Sequence, residues 1–223
     1  HMRRAVEQIR QALREGRAPH SQLLLLEHRP VVTVTRGGEG RHVRLDTRAL
    51  ERLGVELVQT DRGGDVTYHG PGQLVGYPIV PLPRGANFIG VGRYLRRLER
   101  ALLDACGELG VSRCMLLPGK TGVWLGKSKL VAIGIGVSKD GITRHGFAVN
   151  VCADLALMQR CIVPCGLTGM GVANLDDVLW RQGVAVPSVP RLCRVIATHV
   201  AAGLGMRARI EQPFCPRLSP RSS

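Results

Sequence analysis

The sequence predicts an α/β (α+β) fold: a single domain with a central mixed sheet and surrounding helices. Three observations predict it. Short apolar runs such as 74–80 and 129–134 alternate with segments whose apolar residues recur at helical spacing, such as 91–109. Glycines and prolines punctuate the boundaries between them. The chain has 223 residues and 44% hydrophobic content, enough for one sizeable core.

The elements follow in order. Val6, Ile9 and Leu13 mark a first helix that Gly16 closes. Strands over 22–27 and 31–35 flank Pro30 and are expected to lie side by side. A short helix over 47–53 starts behind Asp46, whose carboxylate can accept an otherwise unpaired N–H of the first turn, and stops at Gly54. A strand over 55–59 comes next. The run Arg62-Gly63-Gly64-Asp65-Val66-Thr67-Tyr68-His69-Gly70-Pro71-Gly72-Gln73 is rich in Gly and Pro, which allow tight turns and close approach of backbone to a ligand. His69 reads as pocket surface or as a brace for this loop, and Arg62 with Asp65 as a possible ion pair.

A strand over 74–80 follows. Val91, Tyr94, Leu95, Leu98, Leu102, Ala105 and Leu109 then give one apolar face of a long helix with arginines opposite. Strands are expected over 122–125, 128–134 and 145–150. The remainder holds a helical piece over 175–180, a linker at 187–190, and a packing helix marked by Leu192, Val195, Ile196, Val200 and Leu204 and ended by Gly203 and Gly205. The folded domain is placed at 1–212. The Pro-, Arg- and Ser-rich tail 213–223 is expected to be disordered.

Composition excludes several classes. No apolar run approaches the ~18 residues of a membrane span, and the basic start lacks the apolar stretch of a signal peptide. A cytoplasmic protein with no membrane partner is expected. The seven cysteines are odd in number and include no Cys-x-x-Cys, so neither a disulfide framework nor a metal site is expected. A net charge of +14 favours acidic partners. The arginines are scattered and no nucleic-acid motif accompanies them, so nucleic acid is not expected as a partner. Gly119-Lys120-Thr121 imitates the end of a phosphate-binding loop, but Cys114 stands where that motif needs glycine and a strand is expected where it needs a helix.

Chemistry is expected at Lys129 and Cys165. Lys129 sits in an otherwise apolar strand, and lysines are seldom buried without a partner or a task. Cys165 sits on the turn Pro164-Cys165-Gly166, more accessible than a strand thiol. A cation beside a thiol makes a nucleophile. The bland alternatives are a lysine reaching solvent and an inert buried thiol.

These motifs, together with Gly122-Val123-Trp124, Lys129-Leu130-Val131-Ala132-Ile133-Gly134 and His145-Gly146-Phe147-Ala148-Val149-Asn150-Val151, resemble in order and spacing the bacterial octanoyl-[acyl-carrier-protein]:protein octanoyltransferases of lipoate biosynthesis. The resemblance spans roughly 20–180. It implies a fold of the biotin/lipoate protein ligase catalytic-domain type and no cofactor. It implies that Cys165 takes octanoyl from octanoyl-acyl carrier protein as a thioester, and that Lys129 lowers the thiol pKa; general chemistry adds that the same lysine can serve as acid and base, shuttling a proton from the incoming amine. The acceptors it implies are lysines of the lipoyl domains of 2-oxoacid dehydrogenase E2 and of glycine cleavage H protein. Substrate binding falls by the same resemblance on Arg62, Gly63, Gly64, Asp65, Val66, Thr67, Tyr68 and His69, on Ala132, Ile133 and Gly134, and on Gly146, Phe147 and Ala148. Val75, Ile133 and Phe147 are candidates for an acyl groove or for plain core. Two rivals remain: an ATP-dependent lipoate or biotin ligase of the same fold, and a non-catalytic basic binding protein.

Overall fold

The apolar runs of the sequence are divided between two sheets. In the computed structural model, which describes residues 1–35, 40, 42–82, 90–163 and 169–206, the elements in chain order are α1 (Met2–Arg14), β1 (Gln22–Leu26), β2 (Val31–Thr35), α2 (Thr47–Arg52), β3 (Glu56–Thr60), β4 (Val66–His69), β5 (Gln73–Ile79), α3 (Val91–Glu108), β6 (Cys114–Leu117), β7 (Lys120–Leu125), β8 (Ser128–Val137), β9 (Thr143–Asn150), α4 (Leu155–Cys161), β10 (Gly171–Val172), α5 (Leu175–Arg181) and α6 (Val189–Leu204). The larger sheet runs β1-β5-β9-β8-β7-β6, with β10 added in parallel to β8; the smaller runs β3-β2-β4.

The expected pairing of the first two strands is not what forms. β1 pairs antiparallel with β5, Leu24 opposite Tyr77, whereas β2 pairs with β3 in parallel and with β4 antiparallel. The connection Glu27-His28-Arg29-Pro30 has none of the glycine or asparagine that a tight hairpin requires, and it carries the chain from one sheet to the other. The central mixed sheet expected from the sequence is the larger of the two, and a smaller three-stranded sheet accompanies it.

Helices cover both faces of the larger sheet. On one face Leu98 and Leu102 of α3, Leu179 of α5 and Leu192 and Ile196 of α6 pack on Leu74, Val123, Leu130, Val131, Phe147 and Val149. On the other, Ala5, Val6 and Ile9 of α1 pack on Ile79 and Ile142. The smaller sheet has its own core, where Val32, Val66 and Tyr68 meet Leu50 of α2 and Met158, Cys161 and Ile162 at α4. Asp46 caps α2 by accepting from the Ala49 N–H at 2.7 Å, as its sequence position predicts.

Two helix boundaries differ from expectation. Residues 189–190, expected in a linker, open α6, where a proline loses no hydrogen bond. Gly203 does not end that helix: a Cβ there would lie 2.8 Å from the Ala101 Cβ, so glycine lets α6 approach α3. The helix stops at Gly205, in the left-handed conformation at φ 68. Among the described residues no helix is long and apolar enough to cross a membrane. The tail 213–223 lies outside the described residues.

Candidate functional site

Lys129 owes its position to a β-bulge. Along β7 and β8, Val123 faces Val131 while Trp124 faces Lys129, so β8 carries one extra residue at Leu130. A bulge reverses the in-out alternation beyond it. Leu130 and Val131 are consequently both packed in the main core, and Lys129 and Ala132 both line a cleft on the opposite side. Lys129 is only 8% exposed. Its Nζ sits 4.5 Å from the Trp124 ring centroid, and among the described residues it forms no salt bridge with a carboxylate.

The cleft lies between the sheets. Its walls include Val66, Thr67 and Tyr68 of β4, Gln73 of β5, Ala148 and Asn150 of β9, Met158 of α4, Ile162, and Val172 of β10. A larger cavity of about 240 Å³ between Val80, Tyr94, Arg97, Leu204 and Met206 contains none of the catalytic or substrate-binding residues expected from the sequence. The smaller cleft holds the buried amine.

Two of the predicted stretches are direct neighbours: Ala132 faces Ala148, Ile133 faces Phe147 and Gly134 faces Gly146. Only the alanines line the cleft. Ile133 and Phe147 turn the other way and pack in the main core. Gly146 is needed for close packing, since a Cβ there would lie 2.2 Å from the Gly76 carbonyl oxygen.

The predicted loop crosses β8 at the same place. The Gly63 N–H donates to the Ile135 carbonyl at 2.7 Å, and a Cβ at Gly134 would lie 3.1 Å from the Gly63 carbonyl oxygen. At Gly64, φ +92 suits glycine. The Arg62–Asp65 ion pair does not form between side chains. The Arg62 guanidinium donates to the Thr33 carbonyl at 2.8 Å and the Asp65 carbonyl at 3.1 Å, while the Asp65 carboxylate pairs with His42 Nδ1. Arg62 thereby ties the loop to β2.

His69 ends β4. Its Nδ1 lies 3.0 Å from Gln73 Oε1, and its ring stacks on His28 with centroids 5.6 Å apart. Burial, with His28, Arg62 and His145 nearby, outweighs the Gln73 bond and lowers its pKa to about 4, so the ring is neutral at pH 7. His145 shapes the backbone, with φ 59 and Nε2 2.8 Å from Asp61 Oδ1. Asp61 is held below the usual carboxylate range, chiefly by that bond to His145.

Pro164, Cys165 and Gly166 lie outside the described residues. Among the described cysteines, Cys161 is 0% exposed and burial raises its pKa, which disfavours it as a nucleophile. Among the described residues, no group of His, Cys, Asp and Glu is arranged to hold a metal ion. The sequence reading missed Gln73, Asn150, Met158, Ile162 and Val172 as cleft residues. A usable signal existed for Asn150, an amide at the end of an apolar strand, which needs a partner once buried.

The architecture is that of a lipoate protein ligase catalytic domain. Lipoate-protein ligase A bound with ATP superimposes with a TM-score of 0.70 at 18% identity, covering 92% of this chain and 82% of that one. A bipartite lipoate protein ligase from Thermoplasma acidophilum gives 0.70 at 18%, covering 94% and 81%. Residues 3–199 match the model of the lipoyl protein ligase A/B catalytic domain, and the chain belongs to that family. An octanoyltransferase of Solibacter usitatus is 46% identical over 180 residues, 77% of this chain and 79% of the relative. One from Geobacter sulfurreducens is 44% identical over 198 residues, 89% and 77%.

Proposed function

We propose that the chain is a cytoplasmic octanoyltransferase that moves an octanoyl group from acyl carrier protein to a lysine of a lipoyl domain, through a thioester on Cys165. The observation that carries the reading is Lys129, a buried amine over an indole in a cleft where, among the described residues, no carboxylate pairs with it. Such a cation is costly to bury, and an adjacent thiolate would repay the cost.

Chain connectivity supports Cys165 as that thiolate. It follows Ile162 by three positions and precedes Val172 by seven, and both of these line the cleft. Val172 is itself paired with Lys129. Relatives named octanoyltransferase support lipoate-related acyl transfer and, with it, an acyl donor and a lipoyl-domain acceptor. Candidate acceptors are 2-oxoacid dehydrogenase E2 and glycine cleavage H protein.

A free thiol with a pKa of about 8.5 is only a few per cent thiolate at neutral pH. Each unit by which the Lys129 cation lowers it corresponds to about 1.4 kcal/mol. The Cys165 thiolate attacks the donor thioester carbon and the phosphopantetheine thiolate leaves, an exchange close to balanced in free energy. The acceptor lysine gives one proton to solvent and attacks as the free amine. The C–S bond breaks as the C–N bond forms, and the second amine proton passes, through Lys129, to the departing Cys165 thiolate. Thioester to amide runs downhill, so no ATP is consumed.

Donor choice tests this. Octanoyl-acyl carrier protein alone should add one octanoyl group to a lipoyl domain, read by intact mass. Transfer that instead requires free octanoate and ATP would establish the ligase reading.

A further inference from the structure

The described residues of the cleft contain a chain of amides that the chemistry above leaves unused. Gln73 and Asn150 are both buried, and the Gln73 Nε2 donates to Asn150 Oδ1 at 2.9 Å. With its NH₂ group turned to Asn150, Gln73 presents its carbonyl oxygen to His69 Nδ1 at 3.0 Å. An amide oxygen can only accept, so Nδ1 carries the proton and Nε2 keeps its lone pair. Gln73 and Asn150 line the Lys129 cleft, and His69 sits one hydrogen bond further out.

We propose that Gln73 is a positioning residue: oriented by Asn150, its amide holds His69 as the neutral Nδ1–H tautomer, so that Nε2 accepts an N–H of the lysine amine entering to attack the thioester. This rests on the octanoyl-transfer reading and assigns its second half-reaction a residue that acts through another.

The surroundings of His69 favour an acceptor over a base. Burial, and after it the charges of His28, Arg62 and His145 among the described residues, bring its pKa to about 4 against the opposing bond from Gln73. A ring that weakly basic does not remove a proton from an ammonium whose pKa is about 10.4. It can accept a hydrogen bond from the neutral amine and so fix the direction of attack. The neighbouring ring is fixed too, because His28 Nε2 lies 2.7 Å from the Tyr77 hydroxyl.

The test combines nitrogen-15 histidine NMR with separate assays of the two half-reactions on wild type, Gln73→Glu and Gln73→Met. Wild type should show His69 protonated at Nδ1 and bare at Nε2. Gln73→Glu keeps an acceptor and should preserve the tautomer, retain lysine transfer and move the acid limb of its pH profile upward. Gln73→Met removes the acceptor; it should mix the tautomers and slow lysine octanoylation at least about tenfold while octanoylation of Cys165 stays near wild type. An Nε2–H tautomer in wild type, or equal slowing of both half-reactions in Gln73→Met, overturns the proposal. If wild-type Cys165 accepts no octanoyl group, the functional reading fails, and the NMR result still decides the tautomer.

Discussion

The Lys129 ammonium lies 4.5 Å from the centroid of the Trp124 ring, on the residue directly across the β7–β8 pair. A desolvated cation–π contact contributes about 1–2 kcal/mol, and here it also fixes where the amine points. Trp124→Leu should therefore slow octanoylation of Cys165 by about 5- to 30-fold, with Trp124→Phe between it and wild type. Burst kinetics with an octanoyl thioester measure this. Equal rates in all three would show that the indole does not hold the amine.

Replacing Lys129 separates stability from activity. Lys129→Met keeps the length of the side chain and removes a buried charge that, among the described residues, no carboxylate balances. Its melting temperature should equal or exceed that of wild type, while Cys165 octanoylation falls by about 10²- to 10⁴-fold. A variant that melts early and loses activity only in proportion would make Lys129 a structural residue.

Much of this fold was legible where the signal is local. Asp46 announces α2, the spacing of Leu98, Leu102 and Ala105 announces α3, and the apolar runs bearing 132–134 and 146–148 announce β8 and β9. What was not legible depends on pairing between distant segments. The bulge at Leu130 exists only because β7 and β8 meet in that register, and the sequence shows a lone lysine with no indication of which face it takes. β10 has two residues, held by pairing with β8 rather than by a pattern of its own. The cleft is built between two sheets, so Met158 and Ile162 of the small core could not be connected to Lys129 before the sheets were seen together.

His69 should make stability depend on pH in a defined window. Its folded pKa is about 4 and its unfolded pKa about 6.5, so the unfolded chain binds the extra proton first. The corresponding stability is fully present above about pH 6.5 and is lost as pH falls toward 4. The complete loss should be on the order of 3 kcal/mol, and His28, also lowered by burial, adds to it in the same direction. Urea unfolding at pH 7 and pH 5 should show a smaller drop for His69→Gln than for wild type. Parallel drops would contradict a buried neutral ring.

Gly146 should tolerate no side chain. Its Cβ would meet the Gly76 carbonyl oxygen at 2.2 Å and Pro78 Cδ at 2.6 Å, and neither is the end of a flexible side chain. Gly146→Ala should cost about 1–3 kcal/mol or more through overpacking between β5 and β9, seen as a lowered denaturation midpoint. An unchanged midpoint would mean that the two strands can separate locally at little cost.

The most direct measurement is intact-mass analysis with peptide mapping after brief mixing with octanoyl-acyl carrier protein. Wild type should gain a single octanoyl group on the peptide containing Cys165, labile to hydroxylamine as a thioester is, and Cys165→Ala should gain none. An octanoyl group that persists in Cys165→Ala, or that maps to Cys161, would contradict the account.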